Sequence, residues 1–211
     1  EHGLIVVAAV GNNGPNAETL CAPAVADKII AVAAIDDMNT VDRSDDLIAD
    51  YSSRGPRKDG ARKPDISAPG SDIVGALAAQ KGSASDGLVR MWGTSMAAPH
   101  IAGVCALIIE ANSSLSPLEI KRILLDTADD KGERGWDASY GWGEVDAYKA
   151  LTLATNGRFI GGNETTSSNP PFIPPISMPT IGMPNIKMPP IIEITKVLFY
   201  EFITDSYHLL M

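Results

Sequence analysis

The feature that most limits the fold is segment 95–111, which is apolar on nearly every side when it is drawn as a helix. A helix that is apolar all round must be covered by other parts of the chain, so we expect it in the middle of a domain. Small residues would let neighbouring backbone come close; they are Ala98, Ala102, Gly103 and Ala106. Because the sequence has no apolar run of about 18 residues or more, we predict no transmembrane helix.

Apolar runs and helix signals together indicate an alternating α/β chain. Segments 4–10 and 29–35 are continuous apolar runs, which is typical of buried parallel strands, and 72–77 is a shorter run of the same kind. A helix is predicted over 117–127, with Ser116 as N-cap and Glu119 completing a capping box. A short helix is predicted near 145–153. Strands that alternate with helices favour a layered α/β fold.

Composition changes after Asn156 and divides the chain into three parts. Residues 1–155 are predicted to be globular. Residues 156–190 read as a flexible linker that contains a proline- and methionine-rich pentapeptide repeat, which starts at Met178. Residues 191–211 form an apolar tail that we assign to no domain.

Charge and metal-ligand content exclude several partners. The chain has 17 basic and 26 acidic residues and a net charge of −9, which argues against nucleic acid and anionic membranes as partners. The histidines lie far apart, at 2, 100 and 208, so no metal-ligand cluster is visible. Nothing in the spacing of Cys21 and Cys105 suggests a disulfide.

Two polar residues at element ends are candidates for chemistry. Ser95 lies at the start of the apolar helix, where it is either a plain N-cap or a nucleophile whose own amide faces an oxyanion. Asn12 follows the first strand, and is either a turn residue or a hydrogen-bond donor to the same oxyanion. The residue types alone leave both alternatives open.

Five segments resemble the subtilisin-like serine protease family, and they occur in the family's order. Segment 93–103 (GTSMAAPHIAG) resembles its serine motif, and 6–14 (VVAAVGNNG) resembles its oxyanion-hole segment. Weaker matches lie at 51–56, 63–70 and 140–147. The resemblance implies a three-layer α/β fold with a mostly parallel central sheet. It also implies that Ser95 is the nucleophile, that Asn12 donates to the oxyanion, and that His100 is a structural residue of the helix.

The resemblance also implies a substrate pocket and a set of partners. Ala8, Ala9, Val10 and Gly11 would form one pocket wall, Cys21 would lie near its floor, and Thr94 would contact substrate. Substrates would be polypeptides, and no cofactor is required for the chemistry. Structural calcium is an option in the loop 22–25, but no carboxylate cluster marks a site. Secretion is expected from the family.

The chain departs from the family pattern before Asn12. The family places its catalytic aspartate and histidine there, and neither flanking motif is present in this sequence. We therefore expect the C-terminal half of a catalytic domain that lacks its N-terminal part, and a fragment that is inactive alone. The alternative is a non-catalytic remnant with a binding or structural role. An α/β-hydrolase is disfavoured because Ala97 stands where that fold needs glycine.

Overall fold

The computed structural model describes residues 3–76, 87–157 and 197–199. Its elements in chain order are β1 (Ile5–Ala9), β2 (Ile30–Asp36), β3 (Leu47–Ile48), β4 (Ile66–Pro69), β5 (Ile73–Ala76), β6 (Leu88–Met91), α1 (Thr94–Ala111), α2 (Pro117–Thr127), α3 (Ala147–Ala154) and β7 (Val197–Phe199).

The main sheet has five strands and is mostly parallel, as predicted. β1 pairs in parallel with β2, β2 pairs in parallel with β4, and β7 pairs in parallel with the other edge of β1. Only the short β3 is antiparallel to β2. All side chains from Ile30 to Ile35 are buried, which explains why β2 is a continuous apolar run rather than an alternating one.

Both faces of the sheet are covered. On one face, Val7 and Val32 join the main core with residues of all three helices, among them Ile101 of α1 and Leu124 of α2. On the opposite face, β1 and β2 pack against apolar side chains of the loop 20–29 in a second cluster; its buried members are Ala8, Val10, Ala24, Ala31 and Ala33. The sheet therefore lies between a helical layer and a second apolar layer, and the layered α/β fold is confirmed.

Helix α1 has 18 residues and is long and apolar enough to cross a bilayer by length and composition alone. It packs instead against β1, β2 and β4 as the core helix of the fold. It is not buried all round: the side of α1 that carries Gly103, Ala106 and Leu107 is exposed within the described part of the chain. The prediction of a central helix is confirmed for one side of α1 only.

Three local predictions can be compared with the structure. The run 72–77 is not a buried parallel strand: β5 pairs antiparallel with β6 in a separate two-stranded sheet, and 48% of Val74 is exposed. The capping box on α2 is present, because the Ser116 side chain accepts from the Glu119 amide while the Glu119 carboxylate accepts from the Ser116 amide. The linker prediction falls almost wholly on residues 158–196, which lie outside the described residues.

Candidate active site

Asn12 and Ser95 come from two elements that meet at one edge of the sheet. The chain leaves β1 through Gly11, whose φ of 103° is the left-handed backbone conformation that favours glycine. Helix α1 begins after Gly93, its N-cap, which has a φ of 149° and offers no side chain. Ser95 is therefore the second helical residue and not the N-cap that the alternative interpretation proposed.

Thr94 joins the two elements. Its amide donates to the Asn12 Oδ1 at 2.9 Å, and its hydroxyl donates to the same oxygen at 3.0 Å. The Gly11 amide in turn donates to the Thr94 hydroxyl oxygen at 3.2 Å. Thr94 is only 1% exposed, Gly11 is half-buried and Asn12 is exposed, so these partly buried bonds hold the end of β1 against the start of α1.

The Thr94 bridge fixes which way the Asn12 amide faces. A backbone N–H can only donate, so the Asn12 oxygen must face Thr94 and its Nδ2 is left as a donor on the other side. Nδ2 lies beside the helix start, 3.4 Å from the position that a Cβ on Gly93 would take. The Ser95 amide, as one of the first four of the helix, has no acceptor within it. The Asn12 Nδ2 and the Ser95 amide are therefore both hydrogen-bond donors at the start of α1.

The Ser95 side chain is half-buried and opens into an apolar cleft. The cleft has a volume of about 390 Å³ and lies between the β5–β6 hairpin and the start of α1; it is lined by Ile73, Gly75, Ala76, Val89, Met91, Ser95, Met96, Pro99 and His100. Within the described residues, the Ser95 hydroxyl has no hydrogen-bond partner. The Nδ1 of His100 donates to the Met96 carbonyl oxygen at 2.9 Å, so this imidazole is bonded along its own helix and not to Ser95.

The residues predicted to form the substrate pocket are only partly brought together. Gly11 packs tightly on Cys21, whose Sγ would lie 2.6 Å from a Cβ at position 11, and Ala9 is half-buried beside it. The side chains of Ala8 and Val10, in contrast, are buried in the second apolar cluster. Those two residues could contact a substrate only through their backbone, and the pocket roles stay predictions.

Two serines that the sequence analysis did not name as site residues form hydrogen bonds to the segments around the site. The Ser53 hydroxyl accepts from the Asn13 amide at 3.0 Å, and its own amide donates to the Gly11 carbonyl oxygen at 2.9 Å. The Ser52 hydroxyl accepts from the Ala34 amide in β2. The segment 51–56 was visible in the sequence only as a family-like motif, because serine in a loop carries no periodic signal.

Comparisons with known proteins found several relatives of this chain. The sequence model of the subtilase family matches residues 1–143. Serine protease AprX of Bacillus subtilis is 42% identical over 157 residues, which are 71% of this chain and 35% of AprX. Minor extracellular protease Vpr of the same organism is 38% identical over 133 residues, 56% of this chain and 16% of Vpr. The solved structure of sphericase aligns with a TM-score of 0.57 at 33% identity, and the match covers 67% of this chain and 47% of sphericase. The chain thus spans about a third of AprX and about half of sphericase.

Proposed function

Because this chain belongs to the subtilase family, we propose that it carries the nucleophile and the oxyanion hole of a serine-type endopeptidase. The observation that supports this proposal best is the Thr94 bridge, which gives the Nδ2 of Asn12 a fixed orientation as a donor at the start of α1, the helix whose second residue is Ser95. A side-chain oxygen that accepts from two donors is held in place, so the Asn12 amide nitrogen keeps one orientation.

The proposed reaction begins with attack of the Ser95 Oγ on the carbonyl carbon of a peptide bond. The hydroxyl proton passes to a general base as the carbon–oxygen bond forms, and the carbonyl oxygen becomes an oxyanion. The Ser95 amide and the Asn12 Nδ2 stabilise that oxyanion by hydrogen bonds that need no rearrangement. Collapse of the intermediate expels the amine, which takes up the proton, and water then hydrolyses the acyl-enzyme.

We propose that the general base and its aspartate partner come from residues outside the described part of the chain. His100 is the one histidine within the described residues, and its Nδ1 is engaged by the Met96 carbonyl oxygen. A serine hydroxyl without a base is a poor nucleophile. The described residues alone are therefore proposed to have no useful peptidase activity, as the absence of the family's two flanking motifs also suggests.

The segment that supplies the general base is proposed to dock over the cleft beside Ser95. The cleft walls are mostly apolar, and large apolar side chains around it are exposed, among them Leu88, Met91 and Trp92 at 65%, 45% and 58%. Exposed apolar patches of this kind mark interaction surfaces. The rest of a subtilase catalytic domain is the proposed occupant, with polypeptides as substrates. Secretion is proposed with it, because the relative Vpr is named an extracellular protease.

Labelling with a fluorophosphonate probe tests the nucleophile without requiring turnover. The 211-residue chain is incubated with the probe at increasing imidazole concentrations, and the modified residue is identified by peptide mass mapping. We expect labelling of Ser95 at a rate that rises with imidazole, because imidazole replaces the missing base. Ser95→Ala should take up no label at that position, and His100→Ala should be labelled as fast as the unchanged chain.

Three results would contradict parts of the proposal. No label on Ser95 at any imidazole concentration would remove the nucleophile and favour the non-catalytic remnant. Loss of labelling in His100→Ala would make His100 the base.

Asn12→Ala should slow labelling at least ~10-fold. In subtilisin itself, the family's type enzyme, loss of one such donor lowers kcat about 10²–10³-fold. An unchanged rate would remove Asn12 from the oxyanion hole.

A further inference from the structure

The loop 21–29, here called the pocket loop, runs from Cys21 beside the oxyanion segment to the start of β2. Its first residue is fixed by the Cys21 amide, which donates to the Val10 carbonyl oxygen at 2.9 Å. At two places in this loop, Val25 and Ile29, the backbone carbonyl oxygen accepts hydrogen bonds from positively charged side chains. The position of the pocket loop therefore depends on what neutralises these carbonyls and the carboxylates next to them.

At the first place, one guanidinium contacts three oxygen-bearing groups. The Arg57 Nη1 donates to the Val25 carbonyl oxygen at 2.6 Å and also bonds to the Asp27 carboxylate. The Nε of Arg57 donates to Asp59 Oδ1 at 2.9 Å, and its Nη2 bonds to the other oxygen of Asp59. These bonds hold the pKa of the Asp59 carboxyl well below its usual range and raise the pKa of Arg57. A carbonyl and two carboxylates around one positive charge are the ligand types that a hard cation prefers.

At the second place, two ammonium groups share one carbonyl. The Nζ atoms of Lys63 and Lys121 each donate to the Ile29 carbonyl oxygen at 2.8 Å. Both also bond to the Asp65 carboxylate, at 2.5 Å and 2.8 Å, respectively. Lys63 and Asp65 are 3% and 7% exposed. Buried charges of this kind are tolerated only when they are paired, and here the pairing ties the pocket loop to β4 and α2.

These contacts do not fit a calcium ion on the pocket loop. Calcium needs six to eight oxygen ligands at about 2.3–2.6 Å, and the carbonyl oxygens of Val25 and Ile29 already accept hydrogen bonds from positively charged nitrogen. We propose that this chain holds its pocket loop with its own cations, Arg57 at one end and the Lys63–Lys121 pair at the other, in place of a bound metal ion. The proposal does not depend on peptidase activity.

The contacts around Arg57 give the sharper test because they are open to solvent. A surface cavity of about 320 Å³ lies beside it, with Arg57, Lys58 and Asp59 among its lining residues. Arg57→Met keeps a long unbranched side chain but removes the charge, and leaves the Val25 carbonyl and the Asp27 and Asp59 carboxylates without their cation. Lys58→Met is the matched control, since it removes a positive charge from the same cavity wall, and the Lys58 ammonium bonds to no carbonyl of the pocket loop within the described residues.

Thermal unfolding of the full chain is measured in EDTA and in 10 mM CaCl₂ at matched ionic strength. We expect the Tm of the unchanged chain and of Lys58→Met to differ by less than ~1 °C between the two buffers. Arg57→Met should have a lower Tm in EDTA, and calcium at ten times its Kd should raise that Tm by ~3–5 °C. Millimolar affinity is the relevant range for a site of this kind.

Two outcomes would overturn the proposal. If calcium raised the Tm of the unchanged chain as much as that of Arg57→Met, the pocket loop would bind metal despite Arg57. If calcium left the Tm of Arg57→Met unchanged, the oxygens around Arg57 would not form a cation site. Neither result bears on the labelling of Ser95, so failure here and failure of the proposed function can be told apart.

Discussion

Replacing Thr94 with valine should weaken the fold at the point where β1 and α1 meet. Valine has the same shape but cannot donate to the Asn12 Oδ1 or accept from the Gly11 amide, whereas the backbone bond from residue 94 to Asn12 remains. A typical hydrogen bond contributes about 1 kcal/mol, and a buried donor left without a partner costs a further 1–3 kcal/mol. Since the bond from the Gly11 amide to Thr94 is only partly buried, the lower part of that range applies, and we expect a loss of about 2–3 kcal/mol in the free energy of unfolding.

Urea denaturation followed by far-UV circular dichroism measures this loss, and Thr94→Ser is the matched control. Serine keeps the hydroxyl and loses only a methyl group, so it should cost about 1 kcal/mol. Amide hydrogen exchange at Gly11 should speed up in the valine variant and not in the serine variant. The reasoning is refuted if Thr94→Val lies within about 0.5 kcal/mol of the unchanged chain, or if serine is the more harmful substitution.

Three further predictions concern single side chains. Burial and the nearby Asp46 carboxyl raise the pKa of Glu144 to about 7 from an ordinary 4.5. Because the folded state then holds this proton more tightly than the unfolded state, the free energy of unfolding should fall by up to about 3 kcal/mol as pH rises from about 4.5 to about 7. Urea titrations at several pH values measure this fall, and Glu144→Gln should abolish it. Burial raises the pKa of the Cys105 thiol to about 12, so Ellman's reagent should titrate Cys21 alone in the native chain and both thiols in denaturant. Gly11→Ala should cost about 2 kcal/mol or more in chemical denaturation, because φ is 103° and the new Cβ would lie 2.6 Å from the Cys21 sulfur; an unchanged midpoint would contradict this.

The elements with strong local signals were predictable from the sequence. The two continuous apolar runs became β1 and β2, and the capping signal at Ser116 located the first residue of α2. The short strands were not: β3 has two residues, and β4 is a four-residue segment that ends in Pro69 and is held by pairing with β2. Such strands are set by long-range pairing, which leaves little trace in a local pattern.

The sequence located the residues of the candidate site but not the hydrogen bonds between them. Ser95 and Asn12 were found as residues at element ends, and the family-like motifs gave them roles. That Thr94 fixes the orientation of the Asn12 amide could not be read from the sequence, since it depends on a contact between positions 82 residues apart. The contacts that Arg57, Lys63 and Lys121 make with the pocket loop were also missed. Arginine and lysine side chains usually face water, so nothing in the sequence indicated that these three bind backbone carbonyls.

The distance along the chain between Asn12 and Thr94 has a consequence for when the candidate site can form during folding. A contact that closes a loop of 82 residues cannot form before β1 and α1 have both docked on the sheet, because the ordering of the intervening chain comes first. The set of donors at the start of α1 is therefore absent from the nascent and partly folded chain. The hydrogen bonds that shape the candidate site would thus form late in folding, after β1 and α1 have joined the core.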